Sequence, residues 1–245
     1  MVRCLSRRRF ACQRQTNMRH GLFITLEGID GTGKSTQLRL LVQYLKKGGL
    51  PVRVTREPGG TRLGERIRKI LLDSKNTHLA PLAELALMYA ARAQHLEEVI
   101  RPALAKGQIV VSDRYNDASL AYQGYGRKLG AATVRAFDRI VSGRTQPDLT
   151  ILLDLAPRLS LGRAVGRQSQ RNSNQGRFEL QGLNFHRRVR RGYLAIARKD
   201  PRRVKVVPAG GPVAEVHARI LNLIDGFLAQ RLSDYAPDST WRKAE

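Results

Sequence analysis

The sequence predicts an α/β domain in which a five-stranded parallel sheet is covered by helices on both faces. Three observations carry that reading. Five short apolar runs recur along the chain, at Phe23–Leu26, Val52–Thr55, Ile109–Ser112, Thr150–Leu153 and Val204–Val207. Longer stretches of helical period separate them, and strands alternating with helices imply parallel pairing with helices on the faces. A length of 245 residues, 42% hydrophobic, fits one domain with a full core.

The first run, Phe23-Ile24-Thr25-Leu26, consists of β-formers bounded by Gly21 and Gly28, as in a buried strand. Directly after it stands Gly28-x-x-x-x-Gly33-Lys34-Ser35. Then Leu38, Leu41, Val42 and Leu45 repeat at i, i+3, i+4 and i+7, which predicts a helix over about 34–47. Strand, glycine loop and helix in this order form the context a phosphate-binding loop requires. Gly28, Ile29, Asp30, Gly31, Thr32, Gly33, Lys34, Ser35 and Thr36 then cradle triphosphate oxygens with backbone N–H groups and the helix N-terminus. Lys34 brings a charge to the β- and γ-phosphates, and Ser35 is placed to ligate Mg²⁺. The chain is therefore expected to bind a nucleoside triphosphate or something much like one.

The second strand runs into Arg56-Glu57-Pro58-Gly59-Gly60-Thr61, with helical patterns following at 63–73 and 81–105. The third ends in Asp113-Arg114-Tyr115 and leads to a helical pattern over 116–143. After the fourth come helices at about 157–166 and 182–199, and after the fifth a striped helix at 212–231. In open parallel sheets ligands sit beyond the carboxyl ends of the strands, where these polar groups collect. Asp113 can hold a hydrated Mg²⁺, and the guanidinium of Arg114 can bridge donor and acceptor phosphates as charge spreads between them. The segment Gly162–Gly176 has few large apolar residues and carries Arg163, Arg167 and Arg171, so it reads as a mobile insertion.

Composition bounds the partners. No stretch approaches the roughly 20 apolar residues of a membrane span. Both cysteines, Cys4 and Cys12, lie in the first twelve residues, which fits a reducing cytoplasm. The net charge of +24 is compatible with nucleic acid, but the arginines are spread along the chain with no aromatic-rich basic module. A substrate carrying several phosphates and a general arginine bias are favoured instead. Residues 1–20 hold six arginines and no acid. They have the arginine-rich, acid-poor composition of a targeting segment but little apolar helical stripe, so a disordered basic extension is the preferred reading and a targeting segment stays open. The polar tail 233–245 is expected to fray.

Taken together, LEGIDGTGKST, TREPGGT, YAARAQH, SDRYNDASLAYQG and GRFE resemble, in order and spacing, the thymidylate kinases of the bacterial type, over about Gly21 to Gln230. The resemblance implies a P-loop fold like the nucleoside monophosphate kinases, transfer of the γ-phosphoryl of ATP to dTMP, Mg²⁺ as cofactor and a homodimer in the cytoplasm. It implies roles too. Asp30 contacts the deoxyribose 3′-hydroxyl. Arg56, Glu57 and Pro58 border the acceptor phosphate, and Arg114 reaches it. Arg68 and Arg92 look toward the thymine. Ser119 and Gln123 read the base and its sugar-side pocket, while the Tyr122 ring disfavours a ribose. Taken singly, Arg68 and Arg92 also fit solvated helix arginines, Ser119 a helix filler and Tyr122 core packing.

Four departures from the family pattern matter. The position of a stacking Phe is Met88, with Tyr89 beside it, so either side chain can meet the base. Gly176 replaces an acid before Arg177, which implies a less firmly held arginine. Pro208 replaces an acid after the last strand. The phosphate loop carries no catalytic arginine, so the arginine-rich lid, about 158–178, is expected to supply one, with Arg167 and Arg177 as candidates. Two other activities remain open to this sequence: a P-loop kinase for another nucleotide or a deoxynucleoside, and a nucleic-acid-stimulated NTPase.

Overall fold

The computed structural model describes residues 20–171 and 176–233. The basic extension and the polar tail lie outside that range, as do residues 172–175 of the expected lid and the side chain of Arg167. Five strands, β1 (Phe23–Glu27), β2 (Val52–Arg56), β3 (Ile109–Asp113), β4 (Leu149–Asp154) and β5 (Val204–Pro208), form one sheet in the order β2-β3-β1-β4-β5. All pairings are parallel, with Ile24 opposite Val111 on one side and Leu149 on the other. The chain leaves β1 toward β2 and β3 on one side and reaches β4 and β5 on the other. That reversal opens a crevice beyond the carboxyl end of β1, where α/β sheets bind their ligands.

Alternation along β1 divides the core. Ile24 and Leu26 face the helices α1 (Lys34–Lys47) and α9 (Val213–Ser233), packing with Leu41, Leu45, Ile220 and Ile224. Phe23 faces the opposite layer, where it meets Leu96, Ile100 and Tyr115. Thr25 and Glu27 share that second face by the two-residue period of a strand. Glu27 is thus a fully buried carboxylate at the end of an otherwise apolar strand.

Helices α2 (Arg62–Leu72) and α3 (Pro81–His95) follow β2. The Thr61 Oγ1 caps α2 by accepting the Gly64 N–H at 2.9 Å, satisfying one of the donors a helix start leaves free. The helix expected over 81–105 is interrupted by a π-helical turn at Leu96–Ile100 before α4 (Arg101–Ala105). The pattern over 116–143 is not one helix either. It divides into α5 (Asn116–Ser119), a π-helical stretch Leu120–Gly126, and α6 (Ala131–Val141). Lys128 and Gly130 take positive φ, of 64° and 82°, and so end the helical run.

Helix α7 (Pro157–Arg171) extends beyond the expected end at 166, so the arginine-rich segment is helical through Arg171 rather than irregular. Helix α8 (Leu183–Lys199) lays Phe185, Val189, Tyr193 and Ile196 against Ala121, Tyr122, Leu152 and Val204. It thereby walls the second face of the crevice. No helix among the described residues is long and apolar enough to cross a membrane.

Candidate active site

The glycine loop between β1 and α1 is shaped by contacts that exclude side chains. Gly28 and Gly31 have φ of 137° and 90°. A Cβ on Gly31 would stand 1.9 Å from the Ser160 carbonyl oxygen, and one on Gly28 would stand 2.4 Å from that of Leu153. The Ser160 hydroxyl donates to the Asp30 carbonyl at 2.5 Å, so the first turn of α7 clamps the loop. Thr32 Oγ1 closes the loop on itself by donating to the Ile29 carbonyl at 3.0 Å. Ile29 itself points into the core, so its share in the loop is backbone only. Lys34 Nζ donates to the carbonyls of Gly28 and Ile29 at 3.0 and 3.1 Å and stands 3.9 Å from Asp30. Burial, together with the Arg114 charge, pushes the Lys34 ammonium below its usual pKa.

A cleft of about 430 Å³ opens over this loop. Asp30, Gly31, Gly33, Lys34, Ser35 and Thr36 form its floor, and Asp113 and Arg114 its facing edge. Arg114 has a φ of 74°, uncommon for a residue with a Cβ and costing on the order of 1–3 kcal/mol. Two bonds hold that backbone: the Arg114 N–H donates to Leu26 O at 3.0 Å, and Ser112 Oγ donates to Arg114 O at 2.7 Å.

The Arg114 guanidinium is held on both sides. Nη2 donates to Asp30 Oδ1 at 2.7 Å and to the Tyr122 hydroxyl at 3.0 Å, while Nη1 donates to Gly28 O and to the Tyr193 hydroxyl, both at 3.0 Å. Tyr122 in turn donates to Asp30 Oδ2 at 2.9 Å, and its ring lies 4.8 Å beneath the Arg114 guanidinium carbon. Burial alone would raise the Asp30 carboxyl, but Arg114 and Lys34 beside it hold it well below the carboxylate range. Burial drives the phenols of Tyr122 and Tyr193 well above theirs. Asp30 and Arg114 are accordingly both ionised near neutral pH.

Beyond Arg114 the cleft continues to Met88, Arg92, Ser119 and Gln123. Arg92 is 2% exposed; its Nε donates to Glu57 Oε2 at 2.7 Å and its Nη2 to Ser119 Oγ at 3.0 Å. Glu57 also pairs with His95 Nδ1 at 3.0 Å, so both of its oxygens are engaged. Three buried atoms along this cleft have no hydrogen-bond partner among the described residues: Arg92 Nη1, Gln123 Oε1 and Asp113 Oδ1. Arg92 Nη1 is an unused donor and Gln123 Oε1 an unused acceptor on the same cleft, the two functions a planar base edge pairs with. The unpartnered Asp113 carboxylate oxygen lies on the same cleft as Ser35, and oxygen donors of this kind suit a divalent ion held chiefly by phosphates.

Several expected residues sit elsewhere. Tyr89 does not meet the cleft: it is 1% exposed, packs on Val134 and Phe137, and donates to the Val134 carbonyl at 3.3 Å. Met88 alone of the two offers a face to a base. Arg68 sits with the phosphate-side groups, donating to Pro58 O at 2.9 Å with Arg56, Asp113 and Arg114 as its electrostatic neighbours. Arg56 forms a two-point pair with Glu65, at 3.3 and 2.8 Å.

Arg177 is the largest correction. It is buried and tightly held, donating to Leu71 O and to Glu84 Oε2, each at 2.6 Å. Glu84, fully buried, also receives Gln123 and Arg127, and so replaces the missing acid at Gly176 as the anchor. A guanidinium committed to a buried carboxylate is not free to travel to phosphate.

Sequence reasoning missed Glu27, Tyr193, Ser160, Glu84 and Glu179, the last at the rim of the cleft. Glu27 carried a signal, an acid inside an apolar strand just before Gly28. Tyr193 and Glu84 carried none, since each sits on a helix whose local pattern is unremarkable.

A family model described as "Thymidylate kinase" matches residues 26–220. A thymidylate kinase of Syntrophotalea carbinolica is 50% identical over 199 residues, 81% of this chain and 92% of that protein. One of Desulfovibrio desulfuricans is 46% identical, covering 86% of this chain and 98% of its own length. Among solved structures, a thymidylate kinase of Ehrlichia chaffeensis superposes with a TM-score of 0.67 at 33% identity, spanning 84% of this chain and 99% of its own.

Proposed function

Because the chain belongs to the thymidylate kinase family and phosphorylates dTMP to dTDP with ATP, we propose that the cleft over the glycine loop holds both nucleotides, phosphates facing each other. The observation that carries this assignment is Arg114. It stands between the glycine loop, through Gly28 and Asp30, and the acceptor side, through Tyr122. The backbone N–H groups of residues 31–36 and Lys34 take the triphosphate. Arg114, with Arg56 and Arg68 behind it, takes the monophosphate. The γ-phosphorus–oxygen bond to ADP breaks as a bond forms to a dTMP phosphate oxygen, and ADP leaves with the electron pair. The acceptor needs no general base, since a phosphate monoester is already an anion near pH 7. Positioning and charge neutralisation supply the rate.

On the base side, Arg92 Nη1 donates to a thymine carbonyl, Gln123 Oε1 accepts the ring N–H, and Met88 packs the face. Asp30 receives the 3′-hydroxyl, and Tyr122 crowds the 2′ position. Ser35 and Asp113 are the residues to hold Mg²⁺, which neutralises and aligns the phosphate oxygens when bound. We place the enzyme in the cytoplasm and assign it as a homodimer. Leu63, Ile70, Leu82 and Ile140, exposed on helices that flank β2 and β3, support the dimer. ADP release measured across dTMP, dUMP, UMP, dGMP and thymidine tests the acceptor assignment. The highest kcat/KM is expected for dTMP, with thymidine inert; preference for a ribonucleotide or the free nucleoside would refute it.

A further inference from the structure

The described site leaves one buried chain of groups without a role. Arg114 Nη1 donates to the Tyr193 hydroxyl at 3.0 Å, and that hydroxyl donates to Glu27 Oε2 at 2.7 Å. The other oxygen, Glu27 Oε1, accepts the backbone N–H of Tyr115 at 2.7 Å. Tyr193 is 3% exposed and Glu27 fully buried. Neither lines the cleft, so neither touches substrate. Glu27 ends β1 and Tyr193 stands in the middle of α8, so two separate elements supply the chain of bonds that ends on Arg114.

Building on the proposed role of Arg114, we infer that Tyr193 and ionised Glu27 are positioning residues that fix the direction in which the Arg114 guanidinium points at the transferring phosphoryl group. The argument is one of proton direction. A guanidinium can only donate, so the Tyr193 oxygen must accept from it and send its own proton onward. Ionised Glu27 receives that proton. Its other oxygen receives the Tyr115 N–H, which pins the residue next to the strained Arg114 backbone. When Glu27 is protonated on Oε2, it must donate to Tyr193 instead. The phenol hydrogen then turns toward Arg114 Nη1, where an N–H already stands. Two donors face each other and the guanidinium is pushed from its place.

The charges facing Glu27 are those of Arg114, of Asp117 on α5 and of Lys34 on α1, with the Tyr193 phenol on α8. Burial dominates over Arg114 and raises the carboxyl to about 7, so the direction of the chain changes around neutral pH.

The test compares wild type, Tyr193→Phe and Glu27→Gln in dTMP-dependent ADP release from pH 5.5 to 9, with ATP-analogue affinity and Tm measured alongside. The monophosphate titrates near pH 6 and adds a limb common to all three proteins. Wild type is expected to show a further rise in kcat centred near pH 7. Tyr193→Phe should lose tenfold or more in kcat, keep its affinity for the ATP analogue within threefold, and lack that further rise. Glu27→Gln should lack it too. If Tyr193→Phe keeps wild-type kcat and the same pH profile, the inference is overturned. A kcat loss that is equal at every pH, with the rise retained, overturns it as well by leaving only a packing role. Should Glu27→Gln fail to fold, Tyr193→Phe decides alone. Wild-type protein with no dTMP-dependent turnover would instead sink the assignment of the cleft.

Discussion

Arg114, Asp30 and Tyr122 form a closed triangle in which every bond is charge-assisted or shared. The arrangement separates two functions of Tyr122 that a sequence cannot distinguish. Its hydroxyl belongs to the triangle, while its ring, edge-on against Phe178 and Phe185, forms part of the cleft wall, where the proposed binding mode puts the sugar. Removing the hydroxyl and removing the ring therefore have different outcomes. Tyr122→Phe is expected to lower kcat several-fold but keep the preference for dTMP over UMP. Tyr122→Ala is expected to admit UMP, cutting the preference tenfold or more. Paired kcat/KM values for the two acceptors check this, and unchanged discrimination in the alanine variant would rule out the steric role.

The glycine loop depends on a helix far away in sequence. The first turn of α7 reaches it through Ser160, whose hydroxyl holds the Asp30 carbonyl and whose own carbonyl occupies the space a Gly31 side chain would need. Gly31→Ala should therefore lower Tm by several degrees and weaken ATP-analogue binding at least tenfold. Ser160→Ala loses one hydrogen bond, of about 1 kcal/mol, and should weaken binding only a few-fold. Calorimetric titration of both variants checks the order; a Gly31→Ala protein with normal Tm and affinity would contradict the packing.

This clamp also explains what the sequence could and could not reveal. All five strands were legible to within a residue or two, because β-branched apolar runs and flanking glycines are local signals. The phosphate loop and the Asp113-Arg114 strand end were legible for the same reason. The lid was not. Its arginine-rich composition hid the contact of Ser160, and the fate of Arg177 depended on Glu84, 93 residues away. Similarly, the end of the π-helical stretch at Leu120–Gly126 packs so closely on α8 that a Cβ on Gly126 would stand 2.8 Å from the Phe185 ring. Such partners are set by tertiary packing, which no periodicity records.

Across the full fold, the parallel sheet concentrates its buried charge at one end. Buried Glu27, Lys34, Glu57 and Arg92, with the partly buried Arg114, lie at or beyond the carboxyl ends of β1, β2 and β3 or on the helices that cover them. That concentration costs stability in exchange for a preorganised site. Glu27 makes the cost measurable. Its carboxyl is raised from 4.5 to about 7, so the folded protein binds the proton more tightly than the unfolded chain. Its contribution to stability is fully present below about pH 4.5 and is lost as pH rises toward 7, a change of roughly 3 kcal/mol. Glu27→Gln does not ionise. Its Tm should therefore gain on that of wild type between pH 5 and pH 7.5, and a constant difference would contradict the burial argument.

The two nucleotides share the glycine loop and the acceptor pocket only if Arg114 lies between them. Steady-state ADP release with dTMP varied, for wild type and Arg114→Ala, decides this. The variant is expected to bind the ATP analogue nearly as well as wild type while dTMP-dependent turnover falls on the order of 10³-fold. Turnover within tenfold of wild type, at unchanged KM for dTMP, would contradict the placement of both phosphates against that guanidinium.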